Sequence, residues 1–280
     1  MKVTLGFSPC PNDTFIFDAL VNFKIDTEGF EFEVVLDDVQ TLNNWALEGR
    51  LDLSKISYGV LPLVMKEYII LNSGGALGQG VGPLLIAKRE IKDLSIVDNF
   101  SIAIPGANTT ANMLFSFAFP NAKNKKFFVF DRIMDAVLNE EADAGVIIHE
   151  SRFTYHNLGL VKVMDLGDYW EQKTKAPIPL GGIVMKRSFD LSVQKKMERL
   201  IKKSVEFSLK NYPEISRYVS AHSQELSEDV MRKHIDLYVN DFSIDLKDKG
   251  RAAVRKFLEV YTDNNAPVAI DSDHIFVPDN

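Results

Sequence analysis

Residues 82–88 read GPLLIAK and residues 180–186 read LGGIVMK, two short apolar stretches that each end in lysine. Both have the length and composition of a buried β-strand. They bracket residues 90–178, so that one strand would carry the chain out of a first lobe and the other would carry it back. Entry and exit through a pair of strands is the geometry of a hinged clamp. The alternative is two ordinary strands of a single sheet.

Around these two stretches, segments of strand length alternate with segments of helical periodicity. The predicted strands are residues 3–7, 30–36, 51–56, 101–104, 127–130 and 145–148. The predicted helices between them are residues 15–23, 39–47, 58–66, 109–119 and 133–138. Such alternation indicates an α/β architecture. Beyond residue 190 the predicted elements are all helices, at residues 193–210, 213–221, 228–238 and 246–261.

The hinge interpretation divides the chain into two lobes. Lobe one is discontinuous and consists of residues 1–88 and 186–280, including the helical C-terminal part. Lobe two is the inserted segment, residues 89–185, and includes the second hinge strand. A weak similarity between residues 5–9 and 102–106, each leading from a strand into a helix, favours two lobes of equivalent plan.

The composition argues against several classes of protein. The chain has 280 residues and a formal net charge of −7, and its basic residues are scattered, so we expect no nucleic-acid partner. No apolar run approaches the ~20 residues that a membrane span needs. The apolar start of the chain is too short for the core of a signal peptide. We therefore expect a cytoplasmic protein.

Sequence patterns for metal ions and organic cofactors are missing. The single cysteine, Cys10, rules out a disulfide within the chain and a cysteine-rich zinc site. The five histidines include no pair with zinc-ligand spacing and further ligands nearby. The glycine-rich residues 73–82 lack both the phosphate-loop pattern and the dinucleotide-binding pattern. We expect no metal and no cofactor.

Each predicted lobe offers a strand, a tight turn and a helix N-terminus, a combination that suits an anionic ligand. In the first lobe the turn is residues 8–13, where Ser8 and Asn12 are candidate binding residues. In the second lobe Thr109 and Thr110 hold the corresponding position. The alternative is that polar side chains in these turns, Asn12 or Asp13 in the first lobe, only cap their helices, although capping and ligand binding are compatible.

Further candidates lie at the ends of predicted strands, and the carboxyl ends of strands line the ligand crevice of open α/β sheets. Lys55 could neutralise a carboxylate and Ser57 could donate a hydrogen bond. The alternative is a surface lysine beside a serine that caps a helix. His149 follows the predicted strand at 145–148 and is a candidate general base, because histidine titrates near neutral pH. A structural role is the alternative for this histidine.

Cys10 lies at the predicted start of a helix, a position that lowers the pKa of a thiol and would suit a nucleophile. No histidine is near Cys10 in the sequence, and small buried cysteines are common. We therefore favour a packing role for this side chain.

Residues 8–15, SPCPNDTF, closely resemble the N-terminal signature of the 1,4-dihydroxy-6-naphthoate synthases. Later segments resemble further blocks of this family in the same order: residues 55–57, 78–83, 105–111, 146–150 and 180–182. The resemblance covers most of the first 190 residues and is weaker in the helical C-terminal part. The N-terminal block is its most specific component.

The resemblance implies a type II periplasmic-binding-protein-like fold used for catalysis, which is the two-lobed clamp with two hinge strands. The implied activity is that of a lyase, converting cyclic dehypoxanthinyl futalosine to 1,4-dihydroxy-6-naphthoate in menaquinone biosynthesis without a metal or organic cofactor. The implied proton acceptor is His149. The implied substrate-binding residues are Lys55, Ile56, Ser57, Thr109 and Thr110.

Two alternatives share this fold. A chorismate dehydratase of the same pathway is one, and residues 8–15 argue against it. A non-catalytic solute-binding protein is the other, and it would normally carry an export signal or a lipid anchor, which we do not recognise here. The expected partner is a small-molecule carboxylate. The C-terminal helices either pack on the first lobe or form the interface of a homodimer.

Overall fold

The computed structural model describes residues 1–149, 151–223, 227–264 and 274–279. Its strands are, in chain order, β1 (Lys2–Phe7), β2 (Glu31–Leu36), β3 (Leu53–Ser57), β4 (Tyr68–Ile70), β5 (Ala76–Gly78), β6 (Leu84–Ala87), β7 (Ile102–Ile104), β8 (Lys125–Phe127), β9 (Ala144–Ile147), β10 (Val161–Asp165) and β11 (Ile178–Lys186). Its α-helices are α1 (Pro11–Val21), α2 (Val39–Leu47), α3 (Leu61–Val64), α4 (Thr110–Ala118), α5 (Ile133–Leu138), α6 (Ser151–Thr154), α7 (Leu166–Thr174), α8 (Leu191–Asn211), α9 (Arg217–His222), α10 (Glu228–Tyr238), α11 (Asp241–Ile244) and α12 (Lys247–Asn264). Short 3₁₀ helices lie at Leu94–Asn99, Phe130–Arg132 and Tyr155–Leu158.

The strands form two mixed sheets, which confirms the predicted α/β class. The first sheet has the order β2-β1-β3-β11-β4, with β5 also paired to β11, and the second has the order β10-β6-β9-β7-β8. In the first sheet β1 runs parallel to β2 and β3, while β11 is antiparallel to its neighbours. In the second sheet β7 runs parallel to β8 and β9, while β6 is antiparallel to β9 and β10. The chain passes to the second sheet between β5 and β6 and returns between β10 and β11.

The two apolar strands that were predicted as hinges belong to other sheets than the predicted division of the chain implies. The prediction assigns residues 82–88 to lobe one and the second hinge strand to lobe two. Instead, β6 lies within the second sheet and β11 within the first. The two strands do not pair with each other, because each already hydrogen-bonds to neighbours along both of its edges.

Two of the predicted helices have the bounds that the structure gives them. Helices α5 and α10 match their predicted ranges of 133–138 and 228–238. The predicted strand at 127–130 is wrong for most of its length, because β8 ends at Phe127 and a 3₁₀ helix begins at Phe130. The predicted helix at 58–66 shortens to the four residues of α3. The pattern did not predict the short strands β4, β5 and β10 or the helix α7.

The helices that follow β1 and β7 begin in different ways. The N-cap of α1 is Cys10, and neither Asn12 nor Asp13 caps this helix. Their polar atoms contact other parts of the chain instead. Helix α4 has Thr109 as its N-cap, and the threonine hydroxyl accepts the N–H of Asn112 at 3.2 Å. Capping at the start of α4 is therefore confirmed, and capping by the two polar residues at the start of α1 is wrong.

The longest C-terminal helix packs on the first helix of the chain. Ser204 of α8 accepts the N–H of Leu20 at 3.1 Å and donates to the carbonyl oxygen of Ile16 at 2.6 Å. Apolar side chains of both helices join one core cluster, including Phe17, Leu20, Met197, Ile201 and Val205. Helix α8 therefore packs within the chain, which was one of the two alternatives for the C-terminal helices. A homodimer stays a prediction. None of the described helices is long and apolar enough to cross a membrane.

A second apolar cluster connects the two sheets. It includes Ile56 and Val184 of the first sheet together with Leu85, Ile102 and Val146 of the second. These side chains are at most 1% exposed. The cluster holds the sheets side by side, so that the carboxyl ends of their parallel strands face a common cleft.

Candidate active site

The cleft between the sheets collects the polar residues that follow parallel strands. Ser8 follows β1, Ser57 ends β3, Thr109 comes after β7, and His149 comes after β9. All the predicted site residues line this one cleft: Ser8, Asn12, Lys55, Ile56, Ser57, Thr109, Thr110 and His149. Its empty volume, including the part open to solvent, is about 670 Å³. The cleft is therefore a partly open cavity with polar groups of both sheets along its wall.

Lys55 forms a buried ion pair with Asp13. Its Nζ lies 2.9 Å from Asp13 Oδ1, and the two side chains are only 5% and 4% exposed. The ammonium also donates to the carbonyl oxygen of Gly74 at 2.9 Å. The other carboxylate oxygen, Asp13 Oδ2, accepts the hydroxyl of Ser8 at 2.8 Å. Lys55 therefore reaches the cleft with a counter-ion in place, which the sequence pattern did not predict.

Asn12 connects this ion pair to His234 of α10. Its Nδ2 donates to Asp13 Oδ1 at 2.8 Å, and its Oδ1 lies 2.9 Å from His234 Nε2. Because the amide nitrogen faces a carboxylate, the amide oxygen faces the histidine, and Nε2 carries the hydrogen that is shared. His234 is fully buried, and burial, together with the nearby His149, lowers the pKa of its imidazole well below 6.5. Asn12 thus uses both ends of its amide within the protein.

Aromatic and sulfur groups contact the ring of His149. Its Nδ1 lies 3.6 Å from Cys10 Sγ, although no histidine is near Cys10 in the sequence. The ring of Phe130 stands edge-on to it at 4.9 Å between centroids. The ring of His234 lies almost parallel to it, at 8° and 5.9 Å between centroids. His149 itself has a φ of 55°, a left-handed backbone that is uncommon for a non-glycine residue.

The two threonines that begin α4 use their hydroxyl groups inside the fold. Thr109 Oγ1 accepts the N–H of Asn112, as described above. Thr110 Oγ1 donates to the carbonyl oxygen of Leu180 at 2.7 Å and accepts the N–H of Gly59 at 3.1 Å. The first N–H groups of a helix have no acceptor within the helix and lie at the positive end of its dipole. The backbone of this first turn is therefore the part of α4 best suited to an anion.

Asn43 of α2 joins the two sides of the cleft. It has no exposed surface. Its Oδ1 accepts the N–H of Ser57 at 2.9 Å, and its Nδ2 lies 3.1 Å from both Ser57 Oγ and the carbonyl oxygen of Asn108. Gln40, one turn earlier in α2, accepts the N–H of Asn108 at 3.1 Å. Helix α2 therefore fixes the end of β3 relative to the turn before α4.

Clusters of metal-ligating side chains are absent from the part of the chain that the structure describes, in which no three His, Cys, Asp or Glu residues group around one point. The cleft is lined instead by hydroxyl, amide and apolar groups, with one lysine, one aspartate and one histidine. A reaction without a cofactor stays a prediction that biochemical removal can test.

A family model described as menaquinone biosynthesis matches residues 3–263. The match includes both sheets and every residue of the cleft named above. The chain belongs to this menaquinone biosynthesis family. The resemblance indicated by residues 8–15 is thereby confirmed at the level of the family.

Two relatives of this menaquinone biosynthesis protein are named 1,4-dihydroxy-6-naphtoate synthase. The protein from Thermus thermophilus is 45% identical over 256 residues, which cover 91% of this chain and 92% of the relative. The protein from Streptomyces coelicolor is 40% identical over 260 residues, which cover 91% of this chain and 90% of the relative.

The fold of this family member is similar to that of a Candida albicans protein described as having the generic periplasmic binding protein structural fold. The TM-score is 0.70, the sequence identity is 12%, and the match covers 98% of this chain and 93% of the other. At this identity the likeness concerns the fold alone. The predicted periplasmic-binding-protein-like fold is confirmed.

Three residues of the site were missed by sequence reasoning. Asp13 lies within the block at 8–15 and was interpreted only as a possible cap. Asn43 and His234 lie on the buried faces of amphipathic helices, where a polar residue interrupts an apolar stripe. That interruption was the available signal for both, because a buried polar side chain needs a partner. The pattern could not indicate which partner each side chain meets.

Proposed function

We propose that this chain is a 1,4-dihydroxy-6-naphthoate synthase, a carbon–carbon lyase of the futalosine route of menaquinone biosynthesis. Its substrate would be cyclic dehypoxanthinyl futalosine. Family membership and two relatives with this name support the activity. The observation that carries the proposal is the single cleft where His149, after β9, and the first turn of α4 line the same cavity. One side offers a proton acceptor and another offers N–H groups for a carboxylate.

In this proposal His149 is the general base. It accepts a proton from the substrate, the sugar-derived fragment leaves, and the carbocycle becomes aromatic, which provides the driving force. If the Cys10 thiol accepts the hydrogen on Nδ1, Nε2 is the nitrogen that takes the proton. The contacts of Phe130 and His234 with the ring support this role, because a base must be held within reach of its proton.

The substrate carboxylate binds, in the same proposal, between the first turn of α4 and the end of β3. The N–H groups of Thr110 and its neighbour would stabilise the negative charge. Ser57 would approach from the opposite side. Lys55 would contribute its third N–H as a hydrogen-bond donor, since its charge is already balanced by Asp13.

Conversion of cyclic dehypoxanthinyl futalosine by the purified protein, followed by the appearance of the naphthoate, tests the activity. Chorismate is the comparison substrate, because a chorismate dehydratase would share the fold. The proposal expects turnover of the first substrate and none of the second. Turnover of chorismate alone, or binding of either compound without turnover, would refute it. Activity that survives dialysis against a chelator is also expected, as is recovery of the protein in the cytoplasmic fraction of cells.

Replacement of His149 by asparagine tests the base. We expect turnover to fall about 10²–10⁴-fold, the usual effect of losing a positioned base. Substrate affinity should change much less, because the base acts mainly in the transition state. His156→Asn is a matched control, since His156 lies in a 3₁₀ helix and does not line the cleft. Near-normal turnover of a folded His149→Asn protein would exclude this residue as the base.

A further inference from the structure

We infer that His234 is a positioning residue for this reaction, holding the ring of His149 on one side and the Asn12–Asp13–Lys55 chain on the other. The inference rests on the proposed function. His234 does not line the cleft and would not contact the substrate. It would act through the two groups that it touches, the base and a side chain of the binding corner.

The contact with the base is a ring stack. The imidazoles of His149 and His234 are nearly parallel, at 8°, with centroids 5.9 Å apart. His234 is itself fixed, because it is fully buried and the ring of Tyr238 lies 4.7 Å from it. The left-handed backbone of His149 places the base outside the regular geometry of β9. The contacts of its imidazole with Phe130, His234 and Cys10 then hold the ring in place.

The second contact is the hydrogen bond from His234 Nε2 to Asn12 Oδ1, at 2.9 Å. It begins a continuous polar chain, in which Asn12 Nδ2 donates to Asp13 Oδ1 and Lys55 Nζ lies 2.9 Å from the same carboxylate oxygen. Every polar link of this chain is at least nine-tenths buried. Water cannot substitute for a lost partner there without rearrangement, so each link constrains the next.

The charge state of His234 fits this role. Its lowered pKa keeps the ring neutral, so a proton gained by His149 during the reaction meets no second cation. A lysine or arginine in the same place would oppose proton transfer to the base.

Two substitutions separate the two contacts. His234→Gln keeps an N–H donor near the position of Nε2 and removes the ring, so kcat should fall about 10–100-fold, the scale expected for a misplaced catalytic group. KM should stay within about threefold, because Asn12 keeps its donor. His234→Phe keeps a ring and removes the donor, so KM should rise more than kcat falls. His222→Gln is the matched control, since His222 lies on α9 away from the cleft and should leave both constants unchanged.

A purely structural role for His234 would lower the unfolding temperature of both variants and leave kcat and KM of the folded protein unchanged, which would overturn the inference. Failure of the wild-type protein to convert the substrate would instead refute the proposed function. Histidine-labelled wild-type protein gives a readout that needs neither turnover nor a variant. Its NMR spectrum should show a neutral His234 protonated at Nε2, with cross-relaxation between the ring protons of His149 and His234. A cationic His234 at pH 6, or rings too far apart for cross-relaxation, would also overturn the inference.

Discussion

Asp13 shows how one buried side chain organises a binding corner. Its carboxylate holds Ser8, Asn12 and Lys55 at once, each at 2.8–2.9 Å. The desolvation of a buried charge is costly, and the gain from pairing offsets it only when further hydrogen bonds complete the shell. Here the carboxylate has those bonds, and the lysine has a second acceptor in Gly74. The Asp13–Lys55 pair therefore fixes Ser8 and Asn12, two predicted binding residues, without adding net charge to the cleft.

Replacing Asp13 by asparagine should destabilise the protein by about 3–5 kcal/mol, because the Lys55 ammonium is left buried without a counter-charge. Urea unfolding measures the loss. The double variant Asp13→Asn/Lys55→Met removes both charges and should be more stable than Asp13→Asn alone. Glu259→Gln breaks the exposed pair with Lys256, whose side chains are 43% and 62% exposed, and should leave the urea midpoint unchanged. Equal midpoints for Asp13→Asn and the wild type would contradict the buried pair.

At the scale of elements, the cleft depends on how closely the end of β3 approaches the start of α4. Gly59 lies two residues after β3, and a Cβ at this position would lie 2.5 Å from the backbone carbon and oxygen of Thr109. Only a residue without a side chain permits this approach. The N–H of Gly59 then reaches Thr110 Oγ1 at 3.1 Å. The glycine thus sets the distance between the end of β3 and the start of α4.

Gly59→Ala should lower kcat/KM about 10–100-fold, because the added methyl group displaces the first turn of α4 from the substrate position. The backbone of Gly59 is not in the left-handed region, so the strain in this variant comes from the contact with Thr109 and Thr110 alone. Gly75→Ala is the matched control. Its added Cβ would lie 3.5 Å or more from its neighbours, an ordinary contact, so its kinetics should match those of the wild type. Wild-type kcat/KM in Gly59→Ala would show that the close approach is not needed for activity.

For the whole molecule, the burial of His234 makes stability depend on pH. Folding surrounds this ring with Asn12 of α1, His149 after β9 and Tyr238 of its own helix, and lowers its pKa well below 6.5. The unfolded chain takes up a proton near pH 6.5 that the folded protein does not. The contribution of neutral, buried His234 to the free energy of unfolding is therefore present above pH 6.5 and is lost as the pH falls below 6.5.

Unfolding by urea between pH 6.5 and 5 measures this dependence. The free energy of unfolding should fall by up to about 1.4 kcal/mol per pH unit more in the wild type than in His234→Phe, which has no titrating group there. The comparison between the two proteins cancels the carboxylates, which are common to both. Identical slopes would mean that His234 titrates alike in the folded and the unfolded chain, contrary to its buried, neutral state.

The sequence by itself determined the α/β class and eight of the residues that line the cleft. Strand and helix periodicity and turn chemistry are local properties, and both Ser8 and His149 could be placed after strands on that basis. The family resemblance added Ile56 and strengthened Lys55, Thr109 and Thr110. Because the carboxyl ends of parallel strands meet at one edge, such residues converge once the strands are parallel.

Tertiary structure alone decided which strands pair and which side chains meet. Any buried apolar strand can hydrogen-bond to any other, so the sequence pattern could not show that β6 and β11 belong to different sheets. The contact of His234 with His149 and the pair of Asp13 with Lys55 each join residues that are far apart in the sequence. Such contacts depend on how helices pack on sheets, which local periodicity does not specify. For that physical reason the residues that hold the base appeared only in the folded chain.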